Sequence, residues 1–199
     1  MANLIITIIS IALVAVAALM GAYYGGQAFL QGQAKARANR VIAQGEQIVA
    51  AWSVYAANNG GNYFISTPWA SLVPNYLSSE PVLDFAVASS APLAVVLDGW
   101  GIANHATLDD VTFNNGATVT TTDWGNWGPY NSAIIGFENE EICEEIAKIA
   151  RGPSAAPIAV GGGDPYGFGS AIFNTMTGKF DCFSYASTPP YYVFLYRAY

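Results

Sequence analysis

The sequence predicts an α+β protein: a long N-terminal helix packed on an antiparallel sheet, with a disulfide-linked C-terminal region. Three observations predict it. No Lys, Arg, Asp or Glu occurs from Met1 to Ala34. From Ala34 to Ala56 apolar residues recur at helical spacing along one stripe. After Gly61 the pattern changes to short apolar runs broken by Gly, Asn, Pro and Thr, with Cys143 and Cys182 in the last third of the chain.

The first segment is mostly Ile, Leu, Val and Ala from Leu4 to Leu30. About 20 apolar residues cross a bilayer, because a helix rises ~1.5 Å per residue and the hydrocarbon is ~30 Å thick. This helix is apolar all round, so no side of it suits water. It must sit in lipid or be packed by other protein. Gly21, Gly25, Gly26 and Gly32 lie between this arm and the rest of the helix. Each costs ~1 kcal/mol relative to Ala in a helix, which leaves two outcomes open: a melted stretch around Gly21 to Gly26, or a continuous helix whose glycines allow close packing.

The second half, from Gln33 to Ala57, carries the stripe Ala34, Ala38, Val41, Ile42, Ile48, Val49, Trp52, Tyr55 and Ala56. Arg37, Arg40, Gln44 and Gln47 take the other side. Such a stripe packs on a core. Asn58-Asn59-Gly60-Gly61 ends the helix with residues that tolerate a left-handed backbone. The domain reading is therefore an arm over 1–32 and a globular head over 33–199 that includes the amphipathic half of the helix.

Further along, Trp69 to Leu77 reads as a short helix or turn broken by Pro74, and Leu93 to Leu97 as a buried strand. Val111 to Phe113 and Thr118 to Thr122 read as short strands. Glu138 to Arg151 is helical, with Ile142, Ile146, Ile149 and Ala150 on one face and Gly152-Pro153 as its stop. Pro153 to Gly169 reads as a Gly/Pro loop. Phe168 to Asn174 and Lys179 to Tyr185 flank Thr175 to Gly178 as a hairpin, and Tyr191 to Arg197 is a final strand.

Composition narrows the function classes. The net charge is −7 and the pI about 4.4, with only 7 Lys and Arg. Phosphate binding needs a basic stripe, so no direct nucleic-acid site is expected in the head. Lys35, Arg37 and Arg40 cluster beside the arm and read as a membrane-surface or inter-subunit feature. Two cysteines in an exported domain are most simply one disulfide. The alternatives are two buried free thiols and a two-cysteine metal site, and no His or Cys lies nearby in sequence to complete the latter. Closing a loop of this length constrains the unfolded chain by about 3–4 kcal/mol. Positive charge on the cytoplasmic flank would leave the head inside, whereas acidity and paired cysteines favour the outside. Removal of a basic leader ahead of Met1 reconciles the two.

No catalytic residue is expected. His105 is the one histidine and lies in a Gly/Asn stretch. No nucleophile elbow supports a triad through His105 and Asp109. Cys143 follows Glu-rich sequence, which raises a thiol pKa. Gly161 to Gly169 (GGGDPYGFG) is not followed by the Lys-Ser/Thr of a phosphate loop. Asp109, Asp110 and Asp164 match no calcium-loop spacing. No metal and no cofactor is expected. The 12 Tyr, 10 Phe and 5 Trp are read as packing and subunit contacts.

The order of features resembles a type IV pilin, and most nearly the larger type IVb pilins. The resemblance rests on the uncharged arm Met1 to Ala34 and the amphipathic continuation Val41 to Ala56. It rests also on LVPNYLSSEP from Leu72 to Pro81, and on Cys143 in EEICEEIAKIA with Cys182 on a late strand. The chain departs from the family at Ile5, where most members carry a Glu that pairs with a neighbour's N-terminal amine. Asn3, Thr7 and Ser10 offer only neutral hydrogen bonds there. Archaeal pilins and archaellins, with similar arms, share that departure. The resemblance implies a homopolymer of identical subunits forming an extracellular filament that serves adhesion or motility. It implies an assembly interface through Met1, Leu4, Ile5, Ile8, Ile11, Leu13, Val16, Leu19, Gly21, Gly25 and Gly26. It also implies lipid contact in the inner membrane before assembly, a prepilin peptidase, and pilus assembly machinery. A single-pass anchored extracytoplasmic binding domain and a secretion pseudopilin are the alternatives.

Overall fold

The computed structural model describes residues 2–65, 67–85, 99–104, 110–113, 118–119, 131–160, 176–185 and 190–198. One helix, α1, runs unbroken from Ala2 to Asn58, through all four glycines. The continuous alternative is the one realised. Each glycine is a ~1 kcal/mol cost set against long flanking runs of good helix formers. The predicted stop holds: Gly60 and Gly61 take φ of 70° and 84°, and Gly61 N–H donates to Ala56 O at 2.8 Å, capping α1 with left-handed residues.

A short helix α2, Pro68–Leu72, begins on Pro68, whose missing N–H costs nothing at a helix start. Among the described residues seven strands then form one mixed sheet: β1 Gly101–Asn104, β2 Asp110–Phe113, β3 Thr118–Val119, β4 Ser132–Phe137, β5 Ile158–Val160, β6 Phe180–Tyr185 and β7 Tyr191–Arg197. Their order is β3-β2-β1-β4-β7-β6-β5. All neighbours are antiparallel except β5 and β6, which run parallel with Ile158 opposite Phe183. The expectation of a purely antiparallel sheet is therefore corrected. So is the reading of 153–169 as loop throughout, because Ile158–Val160 is an edge strand. About 20 residues separate β5 from β6, enough for the crossover a parallel pair requires. The strands β1 and β4 were not expected. The expected strand over 93–97, the first hairpin arm over 168–174 and positions 120–122 lie outside the described residues.

Helix α3, Glu140–Arg151, follows β4. Asn139 caps it, its side-chain oxygen accepting from Ile142 N–H at 3.1 Å. Glu140 and Glu141 sit in the first turn, Lys148 and Arg151 in the last, as the helix dipole favours. Gly152 closes it at φ 108°.

The second half of α1 and α3 pack together on one face of the sheet. That face is Tyr192, Phe194 and Tyr196 of β7, Ala133, Ile135 and Phe137 of β4, Ile102 of β1 and Cys182 of β6. Ala38, Val41, Ile48 and Trp52 of α1 and Ile142 and Ile146 of α3 cover it, all fully buried. Trp52 Nε1–H donates to Tyr63 O at 2.8 Å and Trp100 Nε1–H to Gln44 Oε1 at 3.0 Å, so both indoles are buried with their donors satisfied. Ile134, Phe183, Val193 and Leu195, on the opposite face, are also fully buried. At Gly45 the helix touches the sheet so closely that a Cβ there would lie 2.9 Å from Phe194 Cε1.

Cys143 and Cys182 form a disulfide, with Cα atoms 5.4 Å apart, joining α3 to β6. Arg151 Nε at the other end of α3 lies 2.8 Å from Asp181 Oδ2. The two meet at ion-pair distance without the alignment of a hydrogen bond. The second carboxylate oxygen accepts from Cys182 N–H at 2.8 Å. Burial nevertheless pushes the Asp181 carboxyl above the usual carboxylate range, outweighing the Cys182 hydrogen bond and the Arg151 charge.

Candidate functional site

Every side chain from Asn3 to Gln33 is exposed, and the first buried position of α1 is Ala34. At ~1.5 Å per residue this arm projects about 46 Å beyond the head. Leu13 is 66% exposed and Leu19 72%. More than a dozen large apolar side chains stand in this state. Each contributes roughly 1.5–3 kcal/mol when removed from water, and a whole domain is stable by only about 5–15 kcal/mol. A water-exposed arm is therefore not a resting state. The segment is long and apolar enough to cross a membrane.

The positions expected to form an assembly interface do not converge on one stripe. Leu4, Ile8 and Ile11 share one side of α1, Leu13 lies opposite, and Ile5, Val16 and Gly21 fall between. The arm is thus apolar round its whole circumference and suits several neighbours or lipid equally. A Cβ added at Gly21, Gly25, Gly26 or Gly32 meets nothing within 4 Å, so these glycines serve no contact inside the subunit. Met1 lies outside the described residues.

The two hydroxyls near the start of the arm are spoken for. Thr7 Oγ1 donates to Asn3 O at 2.8 Å and Ser10 Oγ to Ile6 O at 2.9 Å. Such back-bonding satisfies a hydroxyl in an apolar surrounding. It also leaves those protons unavailable as the neutral stand-ins, expected from sequence, for the charge pairing missing at Ile5.

At the junction the head supplies its own partners for the basic cluster. Arg40 Nη1–H donates to Asp84 Oδ1 at 2.9 Å and Nη2–H to Val82 O at 3.3 Å. Gln44 Nε2–H reaches the same carbonyl at 3.1 Å. The Arg37 guanidinium lies 5.4 Å over the Phe85 ring. Residues 81–85 are thereby held along α1. Sequence reading missed this clasp, because Asp84 and Phe85 carry no periodic signal and sit more than 40 positions from Arg40. On the side of α3, Gln31 and Ala34 border a notch of 160 Å³ with Glu141, Glu144, Glu145 and Lys148. Lys148 Nζ lies 2.7 Å from Glu145 Oε1, and that hydrogen bond holds its ammonium pKa above the ordinary value despite some burial.

Asp110 falls in β2. His105, Asp109, Asp164 and the stretch 161–169 lie outside the described residues. Among the described residues, no three His, Cys, Asp or Glu side chains converge as a metal site. No family profile, no curated protein and no solved structure matches this chain.

Proposed function

We propose that this chain is the structural subunit of an extracellular filament of the type IV pilin kind. The observation that carries the proposal is the arm: a fully exposed apolar helix, continuous with a half-helix that is built into a folded head. Before assembly the arm lies in the inner membrane. In the filament it trades lipid for the arms of identical copies, and Gly21, Gly25 and Gly26, open on every side in the single subunit, allow close approach. No chemistry by this chain is involved. By resemblance to pilins, a peptidase matures the subunit and a membrane machine extrudes the polymer, which serves adhesion or motility.

The disulfide supports the external location, since such bonds persist in oxidising compartments. Electron microscopy of material sheared from cells, with antibody against the head, tests the proposal. Labelled filaments are expected. Retention of all the protein in the membrane fraction as dispersed copies would replace the filament with a single-pass anchor. Scarce periplasmic fibrils would replace it with a pseudopilin.

A further inference from the structure

We propose that the lipid-embedded part of the arm ends at Tyr23 and Tyr24, and that residues 25–33 stand outside the bilayer as an uncharged helical stalk between membrane and head. This rests on the membrane-inserted state described above and fixes its depth.

The length fits. Leu4 to Ala22 is a run of about 19 residues, or ~28 Å of helix, against ~30 Å of hydrocarbon. Its only polar side chains, Thr7 and Ser10, donate to carbonyls one turn back, so the run enters lipid with no open donor on a side chain. Tyr23 and Tyr24 follow at once. Both are exposed, at 64% and 69%, and their rings meet edge to face with centroids 5.6 Å apart. Aromatic rings with a polar tip sit at the boundary of hydrocarbon and headgroups. Gln27 Nε2–H donates to Tyr23 OH at 3.3 Å. Gln27 lies one turn nearer the head, so the phenol tip is tied to the watery side.

The composition then changes. Positions 25–33 hold Gly25, Gly26 and Gly32 together with Gln27, Gln31 and Gln33, and only two exposed large apolar side chains, Phe29 and Leu30, against thirteen over 4–24. A primary amide placed in hydrocarbon without partners costs several kcal/mol, and Gln31 and Gln33 follow where the arm meets the head. Seating this stretch in lipid would submerge the Tyr pair and Gln27.

The basic cluster fits the same depth. Lys35 lies about 11 residues past Tyr24, or ~17 Å along the helix. That is about twice the Debye length of ~8 Å at physiological salt. Lys35, Arg37 and Arg40 are then too far from the headgroups to serve as lipid anchors. Arg40 is committed to Asp84 and Arg37 to the Phe85 ring inside the head. The surface recognised is the hydrocarbon slab and its interface, with no requirement for anionic lipid.

Both native cysteines are in the disulfide, and no free thiol is present, so an introduced cysteine is the sole target of a maleimide. Full-length Leu13→Cys, Gln27→Cys, Gly32→Cys and Lys35→Cys proteins are placed in phosphatidylcholine vesicles at high lipid-to-protein ratio, which keeps copies apart. Labelling by a membrane-impermeant maleimide is normalised to the same sample in detergent. The expected result is protection at position 13 and labelling at 27 and 32 within about threefold of position 35. Protection at 27 and 32 equal to that at 13, with only 35 reactive, overturns the boundary while leaving the inserted arm intact. Labelling at 13 as fast as at 35 overturns insertion itself, and the boundary with it.

Discussion

The two halves of α1 share one backbone and differ in almost everything else. Residues 3–33 expose every side chain, whereas from Ala34 onward one stripe is buried and the rest faces water. The difference lies in arrangement: apolar residues all round in the first half, apolar residues every third or fourth position in the second. A head of this size has room to bury a stripe. It has no surface to spare for a helix that is apolar on all sides. The glycines draw the same line. In the arm they open onto empty space, while Gly45 is a glycine because Phe194, Trp100 and Tyr196 leave no room for a methyl.

Several changes break or sharpen this contrast. The largest effect is expected from Leu13→Asp. A charge carried into a dry helical bundle costs several kcal/mol, so sheared filaments should disappear while the head keeps its urea midpoint. Normal filament yield would mean that Leu13 is not enclosed. The counterpart in the other half, Trp52→Ala, should cost the head about 3–5 kcal/mol of stability in urea melts. Trp52 is fully buried and its indole N–H holds the Tyr63 carbonyl. A loss under about 1 kcal/mol would show that α1 is not part of the head's core.

Reducing the Cys143–Cys182 bond should cost about 3–4 kcal/mol, the entropy of a loop that spans 39 positions. It should also change mobility in non-reducing electrophoresis. The arm makes no contact with that bond, so detergent-solubilised arm helicity by circular dichroism should not follow the loss. Next, Gly45→Ala and Gly25→Ala should diverge in sign. The first forces a methyl against Phe194 and should destabilise the head by about 1–3 kcal/mol. The second leaves the head untouched and gains the arm up to about 1 kcal/mol of helix propensity. Equal effects would erase the distinction between a packed and an open glycine.

The smallest effect concerns Asp181. Its folded-state pKa is raised, chiefly by burial. The native state therefore takes up a proton before the unfolded chain does. Stability from this group rises as pH falls through the folded pKa, and the gain is complete below the unfolded value of 3.8. Asp181→Asn should remove that component, so the variant-minus-native difference in urea midpoint shrinks on going from pH 7 toward pH 4. A difference independent of pH would show that folding does not raise the pKa of this carboxyl.

Much of this architecture was legible in the residues. The end of α1, the C-terminal end of α3 and the limits of β7 follow from helical period, Gly stops and a run of aromatic and β-branched residues, whereas α3 starts at Glu140, behind its Asn139 cap, and not at Glu138 as expected. The disulfide followed from there being two cysteines. β4 was not legible, because SAIIGF is buried on both faces and so shows no alternation. β5 was missed because three residues at a sheet edge, inside Gly- and Pro-rich sequence, carry too little pattern. The clasp of Arg37 and Arg40 on residues 81–85 was invisible for another reason. Long-range polar pairs depend on the path of the chain, and no local spacing encodes them. In the arm, sequence identified the apolar surface and its extent. It did not show that Thr7 and Ser10 are spent on their own backbone, a consequence of the helix itself.

Sedimentation of the full-length chain with and without detergent, followed by limited proteolysis, tests the central claim most directly. The account predicts single subunits in detergent, large polymers on its removal, and an arm over residues 4–22 that resists protease in both states. A full-length chain that sediments as a monomer in plain buffer, with cleavage between Leu4 and Ala22, would contradict it.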